Sequence, residues 1–170
     1  MSNEVTTQSS GLVNYNPGQA TLLDMRADSS RFPRIKTIPR SQAVDGMSRI
    51  VSQAFLYRGQ AADPNNIHFI ANALVDEILA DDKFGAAFIS LAEIQVVVKR
   101  AVLGGSEMFG ISVASLYKVI MDYVKGEGHL NQKKIEEMRR SATDRAVKAS
   151  ATSPMIQAYS GQFIKNHKNR

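Results

Sequence analysis

Cysteine is absent from all 170 residues, which excludes a disulfide framework and any thiolate metal site and suits a reducing compartment. The longest apolar runs are broken by charge well before the ~18 residues that a membrane helix needs. The N-terminus has no basic-then-apolar signal pattern, so the expected location is the cytoplasm. Histidine is scarce: His68, His129 and His167 lie far apart without ligand spacing, so no metal site is expected. There is no Gly-x-Ser-x-Gly elbow. Gly104, Gly105 and Gly110 have neither the Gly-Lys-Ser/Thr of a phosphate loop nor a strand before them. These gaps leave no enzyme to propose and no cofactor. Alternating strand patterns and internal repeats are missing too, which leaves helices.

Hydrophobic residues make up 44% of the chain, enough for the core of one ordinary domain. The pattern is organised around residues 84–128, read as two capped helices either side of a glycine-studded loop. Ser90 and Glu93 have capping-box spacing, so a helix starts at Leu91. Leu91, Ile94, Val97, Val98, Ala101 and Val102 make one buried stripe, and Gly104-Gly105 stops it. Ser112 caps a second helix with Val113, Leu116, Tyr117, Ile120 and Val124 on its apolar face, which Gly126 and Gly128 are expected to end.

Residues 1–40 read as an arm, polar at first, with a short helical turn through Leu22, Leu23 and Met25. An extended basic strip follows over 31–40, where two prolines bracket Ile35 and Ile38. That strip either crosses its own domain or meets an acidic partner. Ser41 is placed to cap a helix over 42–57 that Arg58-Gly59 closes, and Asp63-Pro64 opens another, with Ile67, Ile70, Ala71, Leu74 and Ile78 inward. Asn131 is placed to cap a long helix over 132–151, and Ser153-Pro154 starts a last short one. The expected fold is all-α: a compact bundle of about five to six helices, with an extended N-terminal arm (1–40), a helical core domain (41–128) and a basic C-terminal helical tail (129–170).

Charge is uneven along the chain. Residues 1–58 hold 7 Lys/Arg against 4 Asp/Glu, residues 59–128 hold 5 against 9, and residues 129–170 hold 9 against 3. The tail cations Lys133, Lys134, Arg139, Arg140, Arg145 and Lys148 are candidate nucleic-acid contacts, because a basic segment follows a phosphate backbone by releasing counterions. A solvated helix face is the plainer reading of the same charges. Asp76, Glu77, Asp81 and Asp82 crowd the end of the 64–78 stripe, where carboxylates oppose the helix dipole. With Arg34 and Lys36 they are the candidate partner-binding residues, a solubilising face being the alternative. The central pair also suggests a helix-turn-helix with Ser112, Ser115, Lys118 and Asp122 outward. Its connection is longer than the usual turn of ~3–4 residues, and a simple helical hairpin fits better.

The run FISLAEIQVVVKRAVLGGSEMFGISVASLY, residues 88–117, resembles a pattern in small helical proteins of Bacteroidota phages and mobile elements. There a capped apolar helix ending in Lys-Arg leads through a glycine loop to an aromatic-bearing helix. More distantly, residues 88–94 resemble a segment in the helical domain of phage replicative-helicase loaders, with Ile89-Ser90 where that pattern has prolines. The resemblance implies a non-enzymatic phage accessory protein in DNA replication: the helical core docks a protein such as a replicative helicase, and the basic tail sits near DNA. The alternative is a structural or assembly protein of the virion, self-associating through its arms.

Overall fold

The computed structural model describes residues 19–81, 83–104 and 110–151. It is all-α: six α-helices, two 3-10 turns and one π-helical stretch, with no strand among the described residues and a single isolated bridge, Arg34 to Ser90. The chain divides into two units, Met1–His129 and Leu130–Arg170. The last short helix expected after Ser153 lies outside the described residues.

In the first unit, α1 (Leu22–Ala27) starts with a capping box in which Thr21 and Asp24 satisfy each other's backbone N–H groups. Leu22, Met25, Phe32 and Ile35 are all buried. From Leu22 onward the expected arm is therefore part of the core. The basic strip does cross its own domain, tightened by a 3-10 turn over Ile35–Thr37 and held by the Ile35 N–H donating to the Ile89 carbonyl at 2.9 Å.

α2 (Arg40–Tyr57) begins earlier than the Ser41 cap predicts. Pro39 is its N-cap, without a side-chain cap; it has no N–H to leave unpaired, and its φ of −54° leads into the helix. The helix ends as expected at Gly59, whose φ of +65° suits glycine, with Gln60 N–H on Phe55 O and Gly59 N–H on Leu56 O closing a Schellman motif.

α3 (Pro64–Ala80) has proline in its first turn and buries Ile70, Ala71, Leu74, Val75 and Ile78. A 3-10 turn over Ala86–Phe88 leads into α4 (Leu91–Leu103), and α5 is Val113–Tyr123. α2 packs on α3 and α4, α5 on α3 and α4, and α1 on α4. The two predicted stripes meet in the core, with Leu91, Ile94 and Ile120 fully buried. Each such side chain contributes about 1.5–3 kcal/mol of transfer free energy.

The expected stop at Gly126 and Gly128 is not made. The backbone passes from α5 into a π-helical stretch, Val124–Gly128, and then α6 (His129–Ala151), so Asn131 caps nothing. Neither glycine takes the left-handed φ that ends a helix. Gly128 serves close approach instead: a Cβ there would lie 3.0 Å from the Tyr123 carbonyl oxygen and 3.1 Å from Arg26 Nη2.

Candidate functional site

The second unit carries the candidate nucleic-acid interface. α6 has few and small apolar residues, and every residue from 136 to 149 is exposed. Lys133, Lys134, Arg139, Arg140, Arg145 and Lys148 all lie on it in exposed positions, accompanied by Glu136, Glu137 and Asp144. Six cations against three acids leave this helix with a net charge of +3. At 100° per residue, Lys134, Arg139 and Arg145 border the row Met138, Ala142, Ala146 and Ala149, while the three acids fall on the other side.

The other predicted site residues are dispersed. Asp76 pairs with Arg40 at 2.8 Å, both side chains more than half exposed, an arrangement of little energetic weight. Glu77 is exposed. The Asp81 carboxylate accepts the Ala86 N–H at 3.0 Å and, at 3.3 Å, that of Phe84, which shapes the turn into the 3-10 helix. Asp82 lies outside the described residues. Lys36 sits with its Nζ 3.3 Å from the centroid of the Phe88 ring. Arg34, expected to face a partner, turns inward with a side chain only 12% exposed. In the second central helix, Ser112 and Ser115 spend their hydroxyls on a capping box, and Ser115 Oγ also donates to the Gly110 carbonyl at 2.7 Å. Two of the four polar residues of a would-be recognition helix are thereby committed to the cap.

Arg34 belongs to a buried cluster that sequence reasoning missed. Glu93 is 0% exposed and both of its oxygens are engaged. Oε2 accepts Arg34 Nη1, the Ser90 amide and the Ser90 hydroxyl, each at 2.9 Å. Oε1 accepts the Tyr123 hydroxyl at 2.8 Å and lies 2.8 Å from Arg26 Nε. That Arg26 N–H is turned off the hydrogen-bond axis, so the contact is a Coulombic pair rather than a directed bond. The cluster holds two guanidiniums and one carboxylate. The excess positive charge is met by carbonyl dipoles: Arg34 Nη2 donates to the Arg26 carbonyl, and Arg26 Nη1 reaches Phe88 O at 3.5 Å.

Burial pushes the Tyr123 phenol well above its ordinary pKa, and the adjacent Glu93 carboxylate adds to the rise, against a smaller opposing effect of Arg26. The cluster ties α1, the basic strip and the end of α5 to the start of α4. With its one carboxylate shared by two guanidiniums and shut away from water, it has the chemistry of a structural clamp.

A shallow groove between α2 and α3 is lined by Asp45, Ser48, Arg49, Ser52 and His68, among others. Its residue types suit nucleophilic catalysis, yet the buried Ser48 hydroxyl has no hydrogen-bond partner, so no nucleophile–base pair is formed through it. Among the described residues, no three His, Asp or Glu side chains converge to hold a metal ion, and no helix is long and apolar enough to cross a membrane. No protein-family model, curated protein or solved structure matches this chain.

Proposed function

We propose that this chain is a non-enzymatic, phage-type accessory protein whose basic helix α6 lies along nucleic-acid phosphates while its helical body docks a protein partner, in DNA replication or a related process. One observation carries the reading: a 23-residue helix with an exposed run from 136 to 149 and an excess of cations. Burial against the chain's own core supplies little of that helix's stability, and a polyanion supplies the missing stabilisation by charge neutralisation. The docking role is supported by large apolar side chains left outside the core, Leu56 at 71% and Phe69 at 66% exposure, and by the exposed acids Asp76 and Glu77 of α3. A replicative helicase is the partner that the helicase-loader resemblance suggests.

The test is fluorescence anisotropy of labelled DNA titrated with the full chain at several salt concentrations. Binding that weakens steeply with salt supports the reading. No binding at low salt by a folded, monodisperse protein removes it. A second reading, a virion structural or assembly protein, is favoured by the exposed row Met138, Ala142, Ala146 and Ala149, a seam for self-association. It predicts a defined oligomer in sedimentation equilibrium without DNA.

A further inference from the structure

The first unit carries a second cationic surface, unrelated to α6 in sequence and built on aromatic rings. Phe84 precedes the short 3-10 turn before α4 and Phe88 ends it, and they are 43% and 50% exposed. An ammonium stands over each ring. Lys36 Nζ is 3.3 Å from the Phe88 centroid, Lys125 Nζ is 4.1 Å from that of Phe84, and Lys83 Nζ is 5.2 Å from the same ring. The lysines come from three separate places: the 3-10 turn of the basic strip, the turn after α3, and the π-helical stretch. Two neighbouring carboxylates are already committed, Asp81 to the amides of Phe84 and Ala86 and Glu127 to Arg100 at 3.3 Å. Among the described residues, no carboxylate is ion-paired with any of these three ammonium groups, which leaves them for an anion.

We propose that Phe84 and Phe88, with Lys36, Lys83 and Lys125, form a binding platform for single-stranded nucleic acid, on which bases stack against the two rings while the lysines move aside to the flanking phosphates. Stacking a base on an aromatic ring is worth more than an exposed cation–π contact, so the exchange favours the nucleotide. An acidic peptide would use the three cations but has no need of two exposed rings. A duplex hides the base faces that those rings would take. A single strand presents a π-face and a phosphate in every residue, which is the pairing this surface offers. The proposal rests on the nucleic-acid reading above but on different residues in the other unit.

The experiment measures anisotropy of labelled (dT)20 and of a 20-base-pair duplex with the full chain, its Phe84→Leu/Phe88→Leu variant and its Lys36→Gln/Lys125→Gln variant. Loss of both rings should weaken (dT)20 binding by about 30-fold or more at fixed salt, the effect of two lost stacks, and leave duplex affinity unchanged. The lysine variant should flatten the log–log salt slope for (dT)20 by about 1.4, at about 0.7 for each single-strand phosphate no longer neutralised. Circular dichroism melts check the fold, and Phe84→Leu alone replaces the double variant if that one unfolds.

Unchanged (dT)20 binding by the ring variants would overturn the proposal, as would an equal loss for duplex and single strand. So would displacement of (dT)20 by polyglutamate as effective as by unlabelled (dT)20, which would assign the surface to an acidic protein. Ring-dependent single-strand binding without any duplex binding would sustain this site while removing α6 as a duplex contact. Duplex binding indifferent to the rings, with no preference for (dT)20, would do the reverse.

Discussion

Glu93 Oε1 accepts the hydroxyl of Tyr123 at 2.8 Å, joining the first turn of α4 to the last turn of α5 in a place closed to water. The same carboxylate balances Arg26 and Arg34, so its charge matters more than its shape. Glu93→Gln keeps the shape and leaves two guanidiniums buried without a counter-charge. The expected loss is about 3–5 kcal/mol, the range for breaking a buried pair from one side. Urea midpoints at unchanged m would measure it, and a loss below ~1 kcal/mol would mean that water reaches the cluster.

Tyr123 gives the clamp an alkaline limit. Its phenol is held above the ordinary value of 10.0, mainly by burial. Below about pH 10 the phenol is protonated in both folded and unfolded chains, and its contribution to stability is flat. Above that pH the unfolded chain releases the proton first, so stability falls as pH rises. Tyr117 is raised in the same direction by burial and nearby carboxylates, so the comparison is between variant and wild type. Tyr123→Phe should cost about 1.5–3 kcal/mol at neutral pH, for a hydrogen bond to a charged acceptor. It should also lose stability less steeply than wild type above pH ~10. Parallel alkaline slopes in the two proteins would contradict the assignment.

Two glycines in the π-helical stretch should respond oppositely to a methyl group. A Cβ on Gly126 meets nothing within 4 Å, so Gly126→Ala should stabilise by about 0.4–1 kcal/mol through the unfolded state. A Cβ on Gly128 meets the Tyr123 carbonyl at 3.0 Å and Arg26 at 3.1 Å, so Gly128→Ala should cost about 1–3 kcal/mol by crowding the clamp. Thermal melts of the pair decide the matter; equal shifts would mean that the close approach has no energetic role.

The same positions show what was legible in the sequence. The Ser90–Glu93 box and the stripe Leu91, Ile94, Val97 and Val98 obey local rules of spacing, and the structure reproduces both. The second role of Glu93 was not legible, because its partners come from distant segments: Arg34 is 59 positions away. One signal was present. Glu93 lies about 40° from Val97 around the helix, at the margin of the apolar stripe, where a carboxylate needs a cation. Gly126 and Gly128 differ from expectation for a related reason: glycine after an apolar run suggests a stop, and only the packing of Arg26 and Tyr123 reveals the close approach at Gly128. The dispersal of Asp76 and Asp81 follows the same logic, since each carboxylate is used by a nearby donor that charge counting does not identify.

Core truncations test the stripes themselves. Ile94 and Ile120 are both fully buried, so Ile94→Ala and Ile120→Ala should each cost about 2–5 kcal/mol in lost burial and residual cavity. Chemical-denaturation midpoints give the values, and losses under ~1 kcal/mol at both positions would mean that α4 and α5 do not meet as described.

The role proposed for α6 is to set its cations against phosphate. Its most direct measurement is the salt dependence of DNA binding by the full chain and by a variant with Lys133, Lys134, Arg139 and Arg140 all changed to Gln. These exposed positions can lose charge without loss of core. Each phosphate neutralised contributes about −0.9 to the log–log slope, so the variant's slope should be flatter by roughly 2–4, with its melting temperature kept. A variant that binds with the same slope and affinity as wild type would contradict the account.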